Sequence, residues 1–199
     1  MQARARLALV ALALPLSGCG YGAIPAERDR AEAAWSDVQH QYQRRADLVP
    51  LLIANVQAGA GQTPVDLSEL NRARAEVATA AATPDLLGQA EAFQAYEQAQ
   101  ADMDRALAAV LGAARVHPQL QANENVRTLE AQIEGPTHRV AVSRRDYNEA
   151  AQTYNAALRD FPTVVWASTL HAGAQPLPLS RTSTAASAAG EDEVEIGSQ

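Results

Sequence analysis

Three features of the sequence predict an all-α fold, an extended antiparallel bundle of about four long helices. The first is an apolar repeat of seven. Trp35, Tyr42, Val49 and Val56 are spaced by seven residues, as are Val126, Ile133, Val140, Tyr147, Tyr154 and Phe161. Over such lengths a heptad spacing marks helices packed on helices. The second is composition: hydrophobic residues make up 47% of the chain but aromatic ones only 5%. With alanine abundant and β-branched runs short, helix is favoured over strand. The third is punctuation. Short Gly- and Pro-containing turns cut the chain into consecutive helices, and helices joined by short turns alternate in direction.

Taken in order, residues 1–18 have the anatomy of a secretory signal. Arg4 and Arg6 form a positive start, and LALVALALPL from Leu7 to Leu16 forms an apolar core. Ten residues fall well short of the ~20 needed to span a bilayer. Leu16-Ser17-Gly18-Cys19 follows and resembles a bacterial lipobox, with Cys19 as the lipid attachment site. Cleavage before Cys19 removes two arginines and takes the formal charge from −7 to −9. The alternative is one weak, uncleaved anchor over residues 7–24. Residues 19–25 then form the lipidated cysteine and its tether. Tyr21, not Asp, stands two places after the cysteine; by resemblance to lipoproteins of diderm bacteria, this favours the outer membrane over the inner.

The bundle is expected over residues 26–162. Helix one runs from about Ala26 to Ala60, with Trp35, Val38, Tyr42, Val49, Leu52 and Val56 inward and Arg44, Arg45 and Asp47 on a flank. Pro50 predicts a kink there without a break. GAGQTP ends it, with Thr63 as cap and Pro64 near the next start. Helix two covers Val65 to Ala82, with Leu67, Leu70, Val77 and Ala81 inward. Helix three, Pro84 to Val116, carries Leu86, Phe93, Tyr96, Met103, Leu107 and Val110 on one side and stops at His117-Pro118. Helix four follows the second heptad series, with Leu129 and Leu158 broadening the stripe. Gly135-Pro136 predicts a kink or a break within it, and Phe161-Pro162 its end. Residues 163–172 hold an apolar segment, TVVWASTL. Two fates suit it: a cap over the bundle end near Trp35, or shallow insertion of Trp166 among lipid headgroups. From Gly173 to Gln199 the chain is rich in Ala, Ser, Thr and Pro and ends in EDEVEIGSQ, which predicts a disordered acidic tail.

The charge balance excludes a nucleic-acid binder, since no dense basic patch offsets a net −7. One cysteine allows no internal disulfide. Among His40, His117, His138 and His171, only Glu134–His138 has a helical ligand spacing. Ile133 and Val140 hold the core-facing positions beside it, so surface pairing is the better reading and no metal or other cofactor is expected. No nucleophile elbow, phosphate loop or Cys-x-x-Cys is present. Arg44, Arg45 and Asp47 can form inter-helix ion pairs, or contact a phosphate headgroup or partner peptide.

Trp35-Ser36, Arg44-Arg45-Ala46-Asp47-Leu48-Val49-Pro50, Ala122-Asn123-Glu124-Asn125 with Leu129, Arg144-Arg145-Asp146-Tyr147-Asn148, Tyr154-Asn155 and Phe161-Pro162 together resemble the LemA family. The resemblance spans roughly residues 26–170. It implies an antiparallel, extended bundle held at a bacterial membrane by its N-terminus, and it carries no catalytic residues over. Pro136 stands where relatives continue the fourth helix. The function expected is therefore non-catalytic: a lipid-anchored, periplasm-facing bundle at the cell or outer membrane that binds an envelope protein or organises envelope components. An inner-membrane protein with an uncleaved anchor is the first alternative, and a metal-assisted hydrolase using acidic bundle residues the remote one.

Overall fold

The protein is described by a computed structural model that covers residues 22–160 and 163–181. Leu16, Ser17, Gly18, Cys19, the Phe161-Pro162 pair and the acidic residues of the tail lie outside the described residues. Within them, α1 is Ala23–Gly59, α2 Ser68–Ala81, α3 Ala90–Val116, α4 Pro118–Gln121, α5 Glu124–Ala157 and α6 Thr163–Thr169. A single 3-10 turn, Leu86–Gly88, precedes α3. At about 1.5 Å per residue the 37-residue α1 is roughly 55 Å long.

The helix directions follow from shared neighbours. Ile24 and Tyr154 meet in one cluster, Val56 and Val126 in another, so α5 runs antiparallel to α1. Trp35 meets Phe93 while Val56 shares its cluster with Val110, so α3 runs parallel to α1. The shorter α2 returns between them, packed chiefly on α3. The result is an up-down-up-down bundle, as the short turns require.

Every heptad residue predicted inward in α1, α3 and α5 that the structure describes is buried. In α2, Ala73 and Ala80 take inward positions and Ala81 is exposed. Element starts differ more. Neither Thr63 nor Pro64 begins α2; Asp66 accepts the Ser68 amide at 2.9 Å just ahead of it. Instead of starting at Pro84, the third helix is preceded by Asp85, held at φ 51°, whose carboxylate accepts the Gly88 amide at 3.2 Å. The extra helix α4 has Pro118 in its first turn. Asn123 then caps α5, accepting the Asn125 and Val126 amides at 3.0 and 3.3 Å. Gly59 is where α1 meets this corner: a Cβ there would lie 2.8 Å from Leu120 and 2.9 Å from the Asn123 amide.

Both prolines inside helices are accommodated. Pro50 lies on the exposed side of α1, which runs through it from Ala23 to Gly59. The break anticipated at Gly135-Pro136 does not occur, and α5 is continuous from Glu124 to Ala157. Thr137 beside it returns its hydroxyl to the Ile133 carbonyl at 2.9 Å.

Two cores stack along the bundle. The one distal to the start of α1 is aliphatic, built on Val49, Leu52, Val56, Leu70, Met103, Val110 and Ile133. The proximal one is aromatic. Trp35 lies 4.9 Å from Phe93 and 5.1 Å from Tyr147, ring to ring, and Tyr42 lies 5.8 Å from Tyr96. Trp166 and Ala167 of α6 pack against this second core, which includes Trp35, while Val165 and Leu170 stay exposed.

Candidate functional site: a polar layer and a held tail

Between the two cores lies a layer of buried polar groups. Arg45 is 1% exposed, Gln100 3%, Glu97 4% and Arg144 9%. The flank expected for Arg45 is therefore wrong: it occupies the heptad position between Tyr42 and Val49. Its guanidinium donates to Gln100 Oε1 at 2.7 Å and pairs with Asp104. Arg44 and Asp47 are exposed, and Asp47 accepts from Gln43 at 2.6 Å. Arg144 donates to Glu97 Oε2 at 2.5 Å. The two cations also stand against the Tyr42 ring, at 5.3 and 5.8 Å from its centre. Burial, then the Glu97 charge, pushes the Tyr42 phenol far above its ordinary range, and Tyr147 is raised by the same two causes.

Glu97 has further partners, and they come from the tail. Ser180 Oγ donates to Glu97 Oε2 at 2.8 Å, and the Arg181 amide does so at 3.2 Å. Tyr42 adds a long hydrogen bond of 3.5 Å to Oε1. Residues 174–181, read from the sequence as structureless, thus lie along α5. Asn155 pairs reciprocally with Leu177, donating to its carbonyl at 2.9 Å and accepting its amide at 2.8 Å. Asn148 does the same with Ser180, both bonds at 2.8 Å. Tyr147 donates to the Pro178 carbonyl at 2.6 Å.

The spacing explains the fit. Asn148 and Asn155 are seven residues apart, two helical turns or about 10.5 Å. Leu177 and Ser180 are three apart, about 9.3 Å in a polyproline II chain. Burial in the tail recurs with that period of three: Ala174 is half-buried, Leu177 and Ser180 buried, and Gln175, Pro176 and Leu179 exposed. Pro176 and Pro178 pre-set the extended backbone. Leu177 fills the aromatic core, at 4% exposure.

The cleft beside Glu97, Asp104, Arg144 and Arg181 holds about 90 Å³, space for roughly three waters. Glu134 lies 3.4 Å from Arg115 and is exposed, as is His138. No group of three or more His, Cys, Asp or Glu suited to a metal occurs among the described residues. Nor is any helix among them long and apolar enough to cross a membrane. The heptad series places Tyr147 in the core, where it is buried, but sequence reasoning missed Glu97, Gln100, Asn148, Asn155 and Ser180 as a group.

No curated protein matches the chain. The family comparison does, and its match includes the held segment 174–181: the chain belongs to the LemA family, matched over residues 34–188.

Proposed function

We propose that this LemA-family chain is a non-catalytic interaction module, lipid-anchored through Cys19 at a bacterial membrane with its bundle facing the periplasm, and that it works by holding extended peptide segments on α5. The observation that carries the binding role is the pair of reciprocal amide contacts from Asn148 and Asn155. They read only main chain, the mode by which extended peptides are bound, while Leu177 and Ser180 supply side-chain selectivity. The absence of catalysis is supported by Glu97, whose carboxylate is occupied by Arg144, Ser180 and the Arg181 amide. A general acid or base needs a free approach to its substrate. The anchor is supported by Leu16-Ser17-Gly18-Cys19 behind a short apolar core.

The groove is tested with a peptide of residues 172–183, AGAQPLPLSRTS, added to the full chain carrying Leu177→Asp, which drives its own tail out of the aromatic core. Saturable binding that weakens at least tenfold on adding Asn148→Ala and Asn155→Ala is expected; no binding to a folded variant contradicts the reading. For the anchor, labelled palmitate should enter the wild-type chain and not Cys19→Ala. A mature N-terminus at Met1 contradicts it.

A further inference from the structure

We propose that the groove on α5 also accepts residues 174–181 of a second copy of this chain, so that two copies exchange tails and each completes the other's Glu97 site; this rests on the groove reading above. Everything the groove recognises is contained in one short segment. Asn155 and Asn148 take the Leu177 and Ser180 backbone, the aromatic core takes the Leu177 side chain, and Glu97 takes the Ser180 hydroxyl and the Arg181 amide. A second copy presents the same atoms in the same order.

The link that keeps the segment at home buries little, with Trp166 and Ala167 only partly buried against the aromatic core. Between α5 and residue 174 stand α6, which has no fully buried residue, and the turn at residues 170–173. Such a stretch is drawn from the low-stability end of a fold and can open without unfolding the bundle. The segment itself lies on the outside, with Gln175, Pro176, Leu179 and Arg181 exposed, so its seat can be entered sideways.

Swapped and unswapped forms make identical groove contacts. What separates them is the effective concentration of the chain's own tail, on the order of millimolar for a short tether. Dilute chains therefore close on themselves, and exchange appears where copies are crowded, the usual condition for swapping an identical element between protomers.

The test separates groove from tail. One full-length variant carries Asn148→Ala and Asn155→Ala, with a damaged groove and an intact tail; the other carries Leu177→Asp, with an intact groove and a damaged tail. Each is labelled, and energy transfer is read in equimolar mixtures. Transfer is expected between the two different variants, and only background within each variant alone. Excess peptide 172–183 should abolish it. Background transfer in the mixed sample, at a concentration where that peptide saturates the Leu177→Asp groove, overturns tail exchange and leaves peptide holding intact. If the peptide also fails to bind the folded variant, both readings fall. Should Leu177→Asp not fold, Ser180→Glu, which sets a carboxylate against Glu97, replaces it with the same expected outcomes.

Discussion

The two halves of the bundle are closed in different ways. The distal half is sealed by its own helices and corners: aliphatic side chains from α1, α2, α3 and α5 meet with α4 over the end. The proximal half is aromatic, adjoins the layer of buried charges, and is completed by residues 174–181, which come after all the helices described. An aliphatic core needs only volume and contact, whereas buried charges need every partner in place. The half that carries the charges therefore depends on the tail, and there the fold has something to release.

The largest effect should come from breaking the aromatic half directly. Val140→Asp sets an uncompensated charge in its stripe and should cost more than about 4 kcal/mol or prevent folding, read by chemical denaturation. Next comes Glu97→Ala, which strands Arg144 in the layer. It should lose about 3–5 kcal/mol, with Glu97→Gln losing less because the amide still accepts from Ser180.

Alkaline pH sharpens the contrast without mutation. Tyr42, Tyr96 and Tyr147 all belong to the aromatic half and have raised phenol pKa values. In the unfolded chain these phenols ionise near pH ~10; in the folded one they keep their protons to higher pH. The folded state then binds more protons, so stability present below about pH 10 falls as pH rises above it. The slope should reach roughly 1.4 kcal/mol per pH unit for each such tyrosine, and Tyr42→Phe should make it shallower. The smallest effect is His40→Ala, on the exposed face of α1, within about 0.5 kcal/mol.

The helices were legible because a heptad stripe is a local pattern. The polar layer was not read from the sequence, which set Arg45 on a flank, although a signal for it was there. Arg45, Gln100 and Arg144 each occupy a stripe position, between Tyr42 and Val49, Tyr96 and Met103, and Val140 and Tyr147. Polar residues at stripe positions of three helices are the signal of a shared buried network. What no local pattern could supply is the closure around Glu97, whose partners lie 47 and 83 residues away. The tail was misread because Pro, Ala and Ser suggest disorder. Its signal is a period of three, Ala174, Leu177 and Ser180, matched to two asparagines at a period of seven.

Amide hydrogen exchange at Leu177 and Ser180 tests most directly whether the tail completes the proximal half. In the wild-type chain both amides should be protected well beyond random-coil rates. Asn148→Ala with Asn155→Ala should remove that protection while distal amides such as those of Val110 and Leu129 keep theirs. Random-coil exchange at Leu177 and Ser180 in the wild-type chain would contradict the account.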